Sequence, residues 1–164
     1  MSKTEPKFEH VRRNSMRLRG FDYAAQRSHF VTIVAHERQR FFNDVRIAEA
    51  TIDCLLDLRE KYKFNLYQYC LMPDHFHALL GIGESKMTLG AICGAFKSLS
   101  TRAFWAFGAG HLWQKQFFDH VVRNEQDFLE TAQYIRQNPV RKNLVENYAD
   151  WQFTGNPDLQ KFYT

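Results

Sequence analysis

Two histidines one residue apart, His75 and His77, stand in the run Pro73-Asp74-His75-Phe76-His77, which reads as the entry to a β-strand. No other feature constrains the chain as tightly. Successive side chains of a strand point to opposite faces, so His75 and His77 share one face and Phe76 takes the other, toward a core. Same-face neighbours lie about 6.6–6.8 Å apart along a strand. Two imidazoles at that separation can lean onto one metal ion, with metal–nitrogen distances of about 2.1 Å.

A second run, Tyr134-Ile135-Arg136-Gln137-Asn138-Pro139, has helical character. It sets Tyr134 and Asn138 one turn apart on a common face. Taken singly, each group has a structural use: a strand histidine as a hydrogen-bonded residue, Tyr134 as a packing residue, Asn138 as a helix cap before Pro139. Together, a phenol, an amide oxygen and two imidazoles suffice for a metal-assisted nucleophilic site.

The pattern between these runs predicts the order of elements. A strand begins at His29 and runs to Val34, rich in β-branched and aromatic residues. Asn43 or Asp44 can cap a helix on which Ile47, Ala50, Thr51, Cys54, Leu55 and Leu58 recur at helical spacing. Phe64 to Met72 alternates as a strand, turns at Met72-Pro73-Asp74, and continues from His75 to Ile82 as its hairpin partner. A second helix is expected from about Thr88 to Phe107, with Leu89, Ile92, Cys93, Phe96, Leu99 and Ala103 on its apolar face, ended by Gly108-Ala109-Gly110. Phe117 to Val122 is a fourth strand. A third helix starts near Glu125, carries Phe128, Leu129, Ala132 and Ile135, and should stop close to Asn138, because a residue before proline is pushed out of the α region. The class is α+β: a ferredoxin-like βαββαβ antiparallel sheet with helices on one face, plus a C-terminal helix bearing the tyrosine.

The 164 residues suit one domain, with 20–164 as the folded unit and 1–19 as a basic N-terminal arm. No run approaches the ~20 apolar residues that span a bilayer, and the charged start carries no apolar leader segment. Cys54, Cys70 and Cys93 are odd in number and read as reduced thiols, so a cytoplasmic location is expected. The net charge of +4 is uneven: residues 1–19 hold six basic and two acidic side chains, and residues 86–145 hold eight and four. That asymmetry favours a phosphate-rich partner, against the alternative of a merely solvated arm. Candidate phosphate contacts are Arg12, Arg13, Arg17, Arg19, Lys97, Arg102, Lys115, Arg123, Arg136, Arg141 and Lys142. Trp105, Trp113 and Phe117 could stack on unpaired bases or pack in the core. His120 is a structural or DNA-facing residue, and His111 a loop residue.

These blocks resemble a known family. His75-Phe76-His77 after Met-Pro-Asp is similar to the histidine–hydrophobe–histidine signature of HUH single-tyrosine transposases. Tyr134 to Leu144 resembles the tyrosine helix of the REP-associated tyrosine transposases, and Gly20 to Tyr23, His29 to Ile33, Gly94 to Ser98 and Leu112 to Arg123 add to the likeness. The resemblance covers about residues 18–145. It implies Tyr134 as the nucleophile and His75, His77 and Asn138 as ligands of Mg²⁺ or Mn²⁺. Some relatives carry glutamine where this chain has Asn138; both supply a neutral amide oxygen. The substrate so implied is single-stranded DNA bearing a hairpin, cut and rejoined through a 5′-phosphotyrosine.

The chemistry is coherent. A phenol with a pKa of about 10 is a poor nucleophile at neutral pH, so the phosphate must be made more electrophilic. The covalent ester conserves the energy of the broken bond, so a second 3′-hydroxyl can reseal a strand. The alternative is a module that grips a nucleic-acid stem-loop without cutting it. A metal hydrolase of small substrates fits less well, because no HExxH-type run is present. The sequence leaves open whether the chain works as a monomer or a homodimer, and on whose site Tyr134 acts.

Overall fold

The computed structural model describes residues 27–162. The arm expected at 1–19, with Arg12, Arg13, Arg17 and Arg19, and the block at Gly20 to Tyr23 lie outside these residues.

Strand β1 (Ser28–Val34) leads through a short irregular stretch to helix α1 (Val45–Tyr62). The hairpin β2 (Asn65–Met72) and β3 (His75–Gly81) turns at Pro73-Asp74. Helix α2 (Leu89–Phe104), strand β4 (Phe118–Val122) and helix α3 (Glu125–Arg141) follow. A two-residue strand, β5 (Thr154–Gly155), closes the sheet. The strand order is β4-β1-β3-β2-β5, antiparallel throughout. The expected ferredoxin-like arrangement is present, and β3 lies in its middle.

The two faces of this sheet are packed separately. Val31, Ile33, Leu71, Phe76, Ala78 and Leu80 point toward α1 and α2 and form one core with Ile47, Leu55, Leu58, Ile92 and Phe96. Tyr67, Cys70, Met72 and Leu79 point the other way and pack with Phe128, Ala132 and Ile135 of α3. The alternation of β2 is interrupted once. Leu66 pairs with Leu80 and Gln68 with Leu79, so Tyr67 is an extra residue, and the bulge shifts the phase of the strand.

Local chemistry sets the helix ends. Asp44, rather than Asn43, caps α1 by accepting from the Arg46 N–H at 3.0 Å. Thr88 caps α2 through the Ala91 N–H. Helix α2 is shorter than the pattern predicts. The chain leaves it through tight bonds from Ala106 N–H to Ala103 and from Phe107 N–H to Phe104, and folds back over the Phe104 ring at Gly108. A Cβ at Gly108 would stand 2.8 Å from that ring. The buried face of α2 is also rotated from the expected one: Ile92, Cys93, Phe96, Ser100 and Phe104 are buried, whereas Leu99 is 39 % exposed. Ser100 is drawn inward because its hydroxyl accepts from Trp113 Nε1–H at 2.8 Å. In α3, Leu129 faces solvent while Thr131 is buried.

Pro139 does not end α3, contrary to expectation. The proline has no N–H to give to the Ile135 carbonyl, yet the helix continues to Arg141. Pro139 is itself buried, and bonds from Lys142 N–H to Asn138 and from Leu144 N–H to Pro139 carry the turn onward. Asn143, with φ 56°, then closes it.

The tail is part of the domain. Asp158 is 1 % exposed and takes hydrogen bonds from the Arg59 guanidinium and from the Leu66 N–H. Burial pushes its carboxyl up, but these bonds and the Lys161 ammonium outweigh that and hold it well below the usual carboxylate range. Phe162 stacks on Phe128, with centroids 3.6 Å apart and planes 4° from parallel.

Candidate active site

β3 carries His75 and His77 on the α3 side of the sheet and sends Phe76 into the opposite core, as strand alternation requires. The imidazole centroids are 4.7 Å apart. His77 is flanked by Thr32 on β1 and Cys70 on β2, so both neighbouring strands fix its backbone. Each ring has a hydrogen bond at Nδ1: His75 to Asp74 Oδ1 at 2.6 Å, and His77 to Thr32 Oγ1 at 2.9 Å. With Nδ1–H as donor, each Nε2 keeps its lone pair for a ligand. The bond to His75 holds the Asp74 carboxyl below its ordinary range. Burial lowers the His77 pKa well below the ordinary histidine value, helped by His75, Arg141 and Lys142. A neutral imidazole is the form that binds metals.

Helix α3 supplies the rest from one stripe, at i, i+4 and i+7. The Tyr134 ring meets His77 at 5.9 Å and Phe30 at 5.8 Å, edge to face. The Arg141 guanidinium lies over the Tyr134 ring, 3.9 Å from its centroid. A cation at that position attracts the ring by about 0.5–2 kcal/mol and fixes its orientation. Asn138 is 1 % exposed, and its Oδ1 has no hydrogen-bond partner. Tyr134, Asn138, His75 and His77 line one cavity of ≈ 420 Å³ in a single chain.

Asn138 Oδ1 tests whether these residues suit a metal. An unsatisfied buried acceptor costs about 1–3 kcal/mol. Among the described residues no three His, Cys, Asp or Glu side chains gather to hold an ion, so a third donor beside two imidazoles must be of another type. An amide oxygen without a partner, in the same cavity as His75 and His77, meets that need. The set suits a divalent cation that accepts both nitrogen and oxygen ligands.

A family model described as "Transposase IS200 like" matches residues 23–138, a span that holds both histidines, Tyr134 and Asn138. The chain belongs to the IS200-like transposase family. A Haemophilus influenzae protein provisionally named as a REP-associated tyrosine transposase is 25% identical over 85% of this chain and 94% of its own length. The REP-associated tyrosine transposase of Escherichia coli K12 is also 25% identical, over 61% of this chain and 59% of that protein. Among solved structures, a REP-associated tyrosine transposase bound to a REP hairpin superposes with a TM-score of 0.67 at 21% identity, covering 85% of this chain and 82% of that one. At that identity the likeness establishes the fold.

Against this IS200-like frame the basic candidates separate. Arg141 and Lys142 line the cavity. Arg136 stacks on Tyr148, its Cζ 5.0 Å from the ring. Arg123 is exposed at the end of β4. Lys97 and Arg102 ride on α2, across the sheet from the cavity, and Lys97 Nζ donates to the Lys115 carbonyl at 2.8 Å. These three are not brought to the histidines. Trp113 is 5 % exposed and packs on Phe42 and Phe96, so it is a core residue and not a base-stacking platform; Phe117 is half-buried against the same core. Trp105 is 57 % exposed. His120 contacts Asp127 of α3, Nε2 to Oδ2 3.6 Å, and His111 is a loop residue against His36.

Sequence reasoning missed four contributors. Thr32 and Asp74 orient the imidazoles. Asp74 adjoins His75 in sequence, but Thr32 becomes visible only through the β1–β3 register. Arg38 and Arg40 also line the cavity, and their one signal was two arginines close together in an otherwise slightly acidic stretch. No helix among the described residues is long and apolar enough to cross a membrane.

Proposed function

We propose that this IS200-like transposase cleaves and rejoins single-stranded DNA next to a hairpin, with Tyr134 as the nucleophile. The observation that carries the reading is the buried, unpartnered Asn138 Oδ1, one helical turn from Tyr134 and in one cavity with His75 and His77. Buried acceptors are seldom left unpaired, and a cation held beside the two imidazoles would satisfy this one. The REP hairpin held by the structural relative supports a hairpin-bearing DNA as partner here.

His75, His77 and Asn138 would hold Mg²⁺ or Mn²⁺. When bound, such an ion polarises a non-bridging oxygen of the scissile phosphate and offsets its charge. Asp74 and Thr32 keep the two rings oriented. Tyr134 Oη forms a bond to phosphorus as the bond from phosphorus to the 3′ oxygen breaks. The phenol gives up its proton and the leaving 3′ oxygen takes one up. The products are a 5′-phosphotyrosine on the protein and a free 3′-hydroxyl; attack by a second 3′-hydroxyl reverses the step on another strand. Arg141 over the ring steadies the phenol for in-line approach. The meeting of Tyr134 and His77 within one chain supports a reaction in cis.

The test is a denaturing gel for a protein–oligonucleotide adduct, using a hairpin with single-stranded flanks and Mn²⁺. Wild type should form the adduct. Tyr134→Phe should lower it by at least about 10³-fold, equivalent to about 4 kcal/mol of barrier, while hairpin affinity stays within about twofold. Adduct formation undiminished in Tyr134→Phe removes the tyrosine from the mechanism. Hairpin binding by wild type with no adduct favours the non-cleaving stem-loop module instead.

A further inference from the structure

The stretch between β1 and α1 is not a relaxed connection. Glu37 and Arg38 follow one another with φ values of 53° and 52°, the left-handed region that side chains other than glycine, asparagine or aspartate avoid. Neither residue is glycine, so surrounding bonds must hold the backbone there. They do: Ala35 N–H binds the Asp74 carbonyl, His36 N–H the Leu112 carbonyl, and Phe42 N–H the Pro73 carbonyl. The loop is thereby clamped to the hairpin turn that precedes His75. The result is that Arg38 and Arg40 line the cavity although both are largely exposed. Among the described residues neither side chain makes a hydrogen bond or ion pair; their backbones bond only locally, Arg38 N–H to Ala35 and Asn43 N–H to Arg40. The carboxylate that lines the cavity, Asp74, feels the Arg38 charge but is already bonded to His75. Arg141 and Lys142, at the C-terminal end of α3, line the same cavity from a separate segment.

We infer that Arg38 and Arg40 form one jaw of a two-sided phosphate clamp, with Arg141 and Lys142 as the other, and that the unpaired DNA strand threads between them. The inference rests on the reading that single-stranded DNA occupies the cavity, and adds which residues grip it on the side away from α3. Four cations around ≈ 420 Å³ far exceed what one partnered carboxylate can balance. Phosphodiesters on either side of the scissile one are the anions that basic side chains from two separate segments would hold. Strain held at a loop that has no other visible task is the usual mark of a functional position.

The experiment uses the full chain and two oligonucleotides: a hairpin with single-stranded extensions on both sides, and the same hairpin without them. Binding is followed by fluorescence anisotropy across a range of salt. Arg38→Gly with Arg40→Ala removes both charges, and the glycine suits the left-handed backbone. For the extended oligonucleotide, the double variant should lower the log–log salt slope by about 1.4, or about 0.7 per lost contact with single-stranded phosphate. The slope for the bare hairpin should not change. If the double variant does not fold, Arg40→Ala alone should lower the slope by about 0.7. An equal decrease for both oligonucleotides, or none for either, overturns the clamp. Adduct formation by wild type is read in the same samples. An adduct with an unchanged slope sinks the clamp and keeps the chemistry; a lowered slope with no wild-type adduct keeps the clamp and sinks the chemistry.

Discussion

The two faces of one sheet are built to opposite rules. On the α1/α2 side, Phe76, Ile33 and Leu71 meet Ile92, Phe96 and Leu55, and the polar Ser100 buried among them is bonded to Trp113. On the α3 side, the same strands present His77 beside Asn138, whose amide oxygen has no partner, and end in a cavity ringed by cations. The α1/α2 face is closed by packing, whereas the α3 face has a packed core and, beside it, an open cavity with an amide oxygen that a bound ligand would satisfy. Strand alternation makes both possible from adjacent residues, so Phe76 anchors the fold while its neighbours on each side are free for chemistry.

Substitutions should expose that division. Phe76→Ala should destabilise by about 3–5 kcal/mol in urea unfolding, through lost burial and a cavity in the filled face; a loss below about 1 kcal/mol would mean that this face is not the packed one. The ligand face should answer to pH instead. His77 has a folded pKa well below 6.5, so below about pH 6.5 the unfolded chain binds a proton that the metal-free folded one does not. Its contribution is complete above that pH and declines by up to about 1.4 kcal/mol per unit as the pH falls, until the folded pKa is reached. His77→Gln should flatten the acid limb of the stability curve by that amount; superimposable curves would contradict the buried neutral ring. The smallest change should be a gain. Asn138→Leu removes the orphaned acceptor at similar volume and should stabilise the apo protein by about 1 kcal/mol, while abolishing the rise in melting temperature expected of wild type on adding Mn²⁺. A protein that loses stability and still responds to Mn²⁺ would show that the amide is not poised for an ion.

Much of this division was legible in the residues. Alternation at His75-Phe76-His77 and the i, i+4 spacing of Tyr134 and Asn138 are local signals, and local signals survive folding. The rotated face of α2 was not, because Ser100 is chosen over Leu99 by one hydrogen bond to Trp113, a residue thirteen positions on. Pro139 misled for a related reason: its effect on backbone propensity is local, but its burial and the bonds of Lys142 and Leu144 overrode it. Arg38 and Arg40 gave only a faint charge signal, since backbone hydrogen bonds to two distant segments, the Pro73-Asp74 turn and Leu112, hold the loop against the cavity. Asp158 gave none: its partner Arg59 is 99 residues away, and β5 is too short to carry a pattern.

The parallel rings of Phe128 and Phe162 join the last turn of the described chain to the first turn of the helix that carries Tyr134. Whatever loosens that terminal turn also unseats the root of α3, at a distance from the cavity and without altering one of its groups. The chain's end is in this sense a handle on the tyrosine, and damage there reads out as lost alignment before it reads out as lost structure.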